Sequence, residues 1–230
     1  MHTSARGAGA ERRRSPLNIT AEDKVLFQFA HPDDEILEAA LMGLLLSRGV
    51  NVSTATATDG TAGKGPRDIV PTGGRRNEVK RSFGYIGVRA ANQHFHDLPD
   101  GGLQLASTYA DLVERTENII AGQGITTVVT FGESGVDHHP DHQAVHRATI
   151  DAVANLGGKV AVWSLNGRHN GSELIGFGKT YKRRIAEFHH SQYFENPDDF
   201  RTLDQYGPLV TAYETYDQVQ LPQPAYAILT

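Results

Sequence analysis

Two stretches of this chain share one pattern, and it constrains the fold more than any other feature. An apolar, strand-like run, Lys24 to Ala30, ends abruptly in His31-Pro32-Asp33-Asp34-Glu35. A second run, Ile125 to Phe131, leads into His139-Pro140-Asp141-His142 and then an apolar periodic segment. Proline cannot donate a backbone hydrogen bond and has its φ preset, so Pro32 suits the first position of a helix, with His31 at the exit of the strand. In such a helix His31 and Asp34 converge, while Asp33 is rotated about 100° away. A plainer reading makes the two aspartates helix caps, stabilised by free amides and the helix dipole. The second copy argues against it. Together the two strand exits offer His31, Asp34 and His142 as a two-histidine, one-carboxylate metal set.

The segment after His31 supports a parallel sheet. Ile36, Leu37, Ala40, Leu41, Leu44 and Leu45 recur at helical spacing, and Arg48-Gly49 has the composition of a helix end. Val50 to Thr58 is rich in β-branched residues and reads as the second strand, so the opening is a βαβ unit. Ligands bind beyond the C-terminal ends of such strands. The predicted fold class is α/β: a Rossmann-like three-layer arrangement with a mainly parallel sheet and its active site at the strand C-terminal ends. Residues 1–20, with Arg12-Arg13-Arg14, read as a disordered polar arm, and residues 21–230 as one catalytic domain.

A dinucleotide site needs a glycine-rich turn after the first strand. Here that turn is His-Pro-Asp-Asp, whose anionic side chains repel phosphate. Gly176-Phe177-Gly178-Lys179-Thr180 resembles the end of a phosphate loop, but the required first glycine is Glu173. His142 and His146 have zinc-protease spacing, yet Gln143 stands where that motif needs Glu, so His146 reads as a supporting residue. With no cysteine among 230 residues, thiolate ligands, disulfides and a cysteine nucleophile are excluded, and any metal falls to the 11 histidines and the carboxylates. The net charge of −5 gives no reason to expect a nucleic-acid partner. No apolar run reaches the roughly 20 residues of a membrane span, which predicts a cytoplasmic protein without membrane insertion.

Residues 59–74 form a long loop at the functional rim, of the kind that binds or covers ligands. Arg75 to Tyr85 reads as a helix with Val79, Phe83 and Ile86 on its apolar stripe. Spacing alone favours a surface ion pair for Arg75. Asn92 to Asp97 is a short strand whose His94 and His96 form a further candidate ligand pair, and Leu98-Pro99-Asp100-Gly101-Gly102 is a turn. Helix Leu105 to Ala121, strand Lys159 to Ser164 and helix Tyr181 to His190 follow. Asp137 and His138 fall in the loop of the second site, and the last forty residues read as irregular.

At this point the chain resembles the PIG-L/LmbE-like family of zinc-dependent de-N-acetylases. Ala30 to Glu35 matches that family's AHPDDE signature and His139 to His142 its HPDH motif. Arg75-x-x-Glu78, Leu98-Pro99-Asp100-Gly101 and His190-Ser191-Gln192 are weaker matches in the same order. The resemblance implies that His31, Asp34 and His142 hold zinc, with iron(II) or manganese(II) as alternatives in the cell, and that Asp33 is the general base for a zinc-bound water. It implies that His139 polarises or protonates the reacting amide, that Asp141 orients it, and that Arg75 contacts substrate. Where some members carry an oxyanion-holding Tyr, this chain has Asp137.

The expected activity is removal of an N-acetyl group from an N-acetylglucosamine-type sugar or its conjugate, by a monomer or a homo-oligomer. The alternative on the same scaffold is a hydratase or lyase adding water to an unsaturated acid. A non-haem iron oxygenase uses a similar ligand set on a β-rich barrel, which this alternating chain does not match. A non-catalytic zinc module would have no use for Asp33 or His139.

Overall fold

Lys24–Phe29 forms β1, and its alternation sorts the core: Val25, Phe27 and Phe29 pack on one face of the sheet and Leu26 on the other. The computed structural model describes residues 16–63, 74–165, 173–176, 179–193 and 213–221. The elements in order are β1, α1 (Glu35–Ser47), β2 (Asn51–Thr58), α2 (Gly74–Ile86), β3 (Gln93–Leu98), α3 (Ala106–Gln123) and β4 (Thr127–Phe131). They continue with α4 (Gly135–His138), α5 (Pro140–Asn155), β5 (Ala161–Leu165), β6 (Glu173–Gly176), α6 (Lys179–Ala186), α7 (His190–Tyr193) and β7 (Tyr213–Gln218).

Among the described residues seven strands form one sheet in the order β3-β2-β1-β4-β5-β7-β6. Pairing is parallel from β3 through β5, and β7 runs antiparallel to both its neighbours. Helices α1, α2 and α6 pack together over one face, α3 and α5 over the other. The chain steps outward from β1 to β3, then returns through α3 to place β4 on the opposite side of β1. That reversal leaves a crevice outside the C-terminal ends of β1 and β4, the place where open α/β sheets bind ligands. The two His-Pro-Asp segments leave those two strands, so they face one another.

Several expectations are corrected. Helix α1 begins at Glu35 rather than Pro32, because Asp33 adopts φ 141, a conformation L-residues rarely enter, and residues 32–34 form a turn instead. Asp34 does not cap its helix; its carboxylate turns back to accept the Ala30 and His31 amides at 3.0 and 2.6 Å. The helix expected over 181–190 is two helices, and the phosphate-loop look-alike begins on strand β6. The irregular tail contains β7, whose inward residues, Glu214 and Tyr216, are polar or amphipathic and hide the alternation. Packing reaches back to Leu17 and Ile19, both buried. Residues 64–73 of the rim loop and residues 1–15 lie outside the described set. Among the described residues no helix is long and apolar enough to cross a membrane.

Candidate active site

Strand β1 delivers His31 to the crevice, and the turn at Asp33 folds Asp34 back beneath it. From the other side, α5 starts at Pro140 with His139 as its cap, so His142 projects from the first turn. The atoms that converge are His31 Nδ1, His142 Nε2 and the Asp34 carboxylate. His142 Nε2 lies 3.3 Å from His31 Nδ1 and 3.2 Å from Asp34 Oδ1, and His31 Nδ1 lies 3.5 Å from Asp34 Oδ2. A tetrahedron with bonds of about 2.0–2.1 Å has edges of about 3.3–3.4 Å. All three residues are buried.

The outer contacts explain which nitrogens face inward. His31 Nε2 donates to Asp100 Oδ1 and Asp141 Oδ2, each at 3.2 Å, and His142 Nδ1 donates to the Gly135 carbonyl at 3.0 Å. Each ring therefore turns its remaining lone pair toward the other ring and toward Asp34. Two lone pairs and a carboxylate facing one point repel until a proton or a cation lies between them, and outer bonds of this kind orient metal-binding histidines. The residues thus fit a divalent ion. A second grouping, His31, His139 and His142, also brings three ring nitrogens within 4.8 Å. In that grouping His139 Nδ1 is already occupied by the Asp141 main-chain amide at 3.2 Å.

The electrostatics follow from the same contacts. Burial opposes the charged forms of His31 and Asp34, but for His31 the bonds to Asp100, Asp141 and Asp34 prevail and raise its pKa well above the usual value. Asp34 is held well below the carboxylate range by His142 and His31, against its burial. Asp33 differs. Burial pushes it up from its ordinary value and the Asp34 charge adds to that, while Arg75 pulls the other way. Two adjacent carboxylates are thereby split into an anchored anion and a base closer to neutral pH.

Arg75 is buried, not at the surface as its spacing suggested. Its Nη2 contacts Asp33 Oδ1 at 2.9 Å and the Pro32 carbonyl at 2.7 Å, and its Nη1 donates to the Gly60 carbonyl at 2.8 Å. The Asp141 carboxylate accepts the Gly101 and Leu103 amides at 2.7 and 3.0 Å and meets His31, and its main-chain N–H donates to His139 Nδ1 at 3.2 Å. Asp137's side chain lies outside the described residues. His94 pairs with Gln123 and His96 is buried on β3; among the described residues neither enters a candidate metal group. His146 is supporting, with Nδ1 on the Phe131 carbonyl at 2.8 Å.

Three contacts around the candidate site escaped the sequence reading. Asp100 joins His31 to the rim, since its Oδ2 accepts the Ala62 and Gly63 amides at 2.9 and 3.1 Å. Glu35 is buried and binds Ser82 and His189. Glu78 holds Ser191 through its amide and hydroxyl at 2.9 and 2.6 Å.

Comparison with known proteins adds a family and a shared fold. A probable N-acetyl-alpha-D-glucosaminyl L-malate deacetylase 2 from Bacillus cereus is 33% identical over 146 residues, which is 59% of this chain and 63% of that protein. The matched stretch spans less than two thirds of the length of the curated relatives. The structure of an N,N'-diacetylchitobiose deacetylase from Pyrococcus horikoshii superposes with a TM-score of 0.69 at 18% identity, covering 86% of this chain and 84% of that one. A 4-carboxy-2-hydroxymuconate hydratase from Pseudomonas putida gives 0.66 at 12% identity, covering 88% and 98%. At such identities these two structures show a common fold. Residues 26–153 match the PIG-L family, described as GlcNAc-PI de-N-acetylase. That match runs from the first strand through both His-Pro-Asp segments, and the chain belongs to the PIG-L family.

Proposed function

We propose that this protein is a metal-dependent N-deacetylase acting on an N-acetylglucosamine-type sugar or its conjugate. The observation that carries the reading is the convergence of His31 Nδ1, His142 Nε2 and Asp34 at tetrahedral spacing, beside an aspartate that is left off the set. Zinc suits this donor set, and when bound it supplies Lewis acidity and lowers the pKa of a bound water to about 7. Asp33, raised by burial and steadied by Arg75, accepts the proton of the water that attacks the acetamide carbon. His139, whose Nδ1 accepts the Asp141 main-chain N–H, carries its proton on Nε2 and donates it to the carbonyl oxygen as negative charge develops there. When the carbon–nitrogen bond breaks, Asp33 returns its proton to the leaving amine, giving acetate and the free amino sugar.

Charge weighs against the hydratase reading. Among the described residues four aspartates, Asp33, Asp34, Asp100 and Asp141, crowd the site, and Arg75 is committed to Asp33 and two carbonyls. A neutral acetamido sugar fits such surroundings better than an unsaturated acid. The test is acetate release from methyl N-acetyl-α-D-glucosaminide and related glycosides. Zinc-loaded protein releases acetate, a chelator stops it, and Asp33→Asn lowers the rate by about 10²- to 10⁴-fold with zinc still bound. No acetate from any glycoside, or a Asp33→Asn rate within tenfold of wild type, overturns the proposal.

A further inference from the structure

We infer that Gln192 is a substrate-contacting, specificity-determining residue that reads neighbouring hydroxyls of the sugar; the inference rests on the deacetylase reading above and extends it to the substrate's ring. Two buried carboxylates fix where this residue sits. Glu35, two positions after Asp33, binds His189, and Glu78, one helical turn after Arg75, binds the amide and hydroxyl of Ser191. The start of α7 is thus tied both to the turn that bears the base and to the helix that bears its arginine. Gln192 comes next in the chain.

Its amide reaches the rim. A Cβ placed on Gly63 would lie 3.4 Å from Gln192 Oε1 and 2.2 Å from Arg75 Nη1, so the amide and the guanidinium both border that glycine. The N–H of Gly63 is held by Asp100, whose other oxygen contacts His31. Gln192 therefore belongs to the same wall as Asp100, Arg75 and Asp33. The side chain is half-buried, and among the described residues its amide makes one long hydrogen bond, 3.4 Å from Nε2 to Ser191 Oγ. A planar amide offers an acceptor and donors side by side, which matches two adjacent hydroxyls, each able to donate and accept. It is also uncharged, as a neutral sugar requires.

The experiment compares wild type with Gln192→Ala and Gln192→Leu on methyl N-acetyl-α-D-glucosaminide. Expected is a KM raised about fivefold or more, with kcat within twofold and zinc affinity unchanged. Fivefold corresponds to about 1 kcal/mol, the size of one neutral hydrogen bond. An unchanged KM, or a parallel fall of kcat and zinc affinity, overturns the inference. Calorimetric binding of the same glycoside to metal-free protein separates the two proposals. If metal-free wild type binds it but the zinc-loaded protein releases no acetate, the deacetylase reading fails alone; equal binding by wild type and Gln192→Ala, or no binding by wild type, defeats the role of Gln192.

Discussion

Gly135 gives the sharpest test of how the metal set is built. It sits at φ +70, where an L-residue costs about 1 kcal/mol or slightly more. A Cβ there would meet His142 Cβ and Gln143 Cγ at 3.0 Å and the Gln143 amide nitrogen at 3.2 Å. Gln143 Cγ can swing aside, but the other two atoms belong to the first turn of α5 and move only if that turn moves. The carbonyl of the same glycine accepts the His142 Nδ1 proton at 3.0 Å, so strain and a lost orienting bond fall on one ligand. Losing such an outer bond typically weakens metal binding by about 10- to 100-fold, or about 1.4–2.7 kcal/mol. Gly135→Ala should therefore raise the zinc dissociation constant by that factor in a chelator competition. Its melting temperature should fall by about 2–8 °C, from roughly 1–2 kcal/mol at 2–4 °C each. Zinc affinity within twofold of wild type in a variant that melts early would refute the reasoning, because the strain would then be absorbed without reaching His142.

Lys182→Met should cost about 3 kcal/mol and lower the melting temperature by about 6–12 °C, since it strands the buried Glu214 carboxylate 2.7 Å from the lost ammonium. A variant melting within about 2 °C of wild type would show that no stranded charge exists. His96 supplies a pH prediction. Burial, helped by Arg115 and His94, pushes it down to about 4 from its ordinary value of 6.5, so between those values the unfolded chain binds the proton and the folded one does not. Stability should fall as pH drops through that window, by up to about 3 kcal/mol, and urea titrations at pH 7 and 4.5 should show a shallower fall in His96→Leu. An identical fall in both proteins would contradict it.

The site was legible where chemistry and chain direction coincide. A strand that ends in His-Pro-Asp must deliver its polar groups to the sheet's C-terminal edge, and a second such strand brings His142 to His31 once β4 lies beside β1. The exact turn was not legible, because the φ of Asp33 is set by tertiary contacts, including the buried Arg75 pair, that local propensity does not encode. Asp100 reads as part of a surface turn, although one carboxylate there serves both His31 and the rim. Glu35 and Glu38 did leave a trace: both lie in a helix otherwise almost wholly apolar, where an acid must be buried or out of place, and both are buried. Strand β7 left none, since it turns Glu214 inward.

That inward glutamate also binds the middle of α1, where its two oxygens accept the Ala40 and Leu41 amides at 2.9 Å each, and Lys182 caps the Leu37 carbonyl at 2.7 Å. The helix that follows the Asp33-Asp34 turn is thus clasped from residues 182 and 214, both beyond the 26–153 segment that carries the family likeness. Foundations and signature occupy different parts of the polypeptide. A chimera that grafts the recognisable portion onto a foreign C-terminal portion would keep every letter of both His-Pro-Asp motifs and lose the footing beneath them.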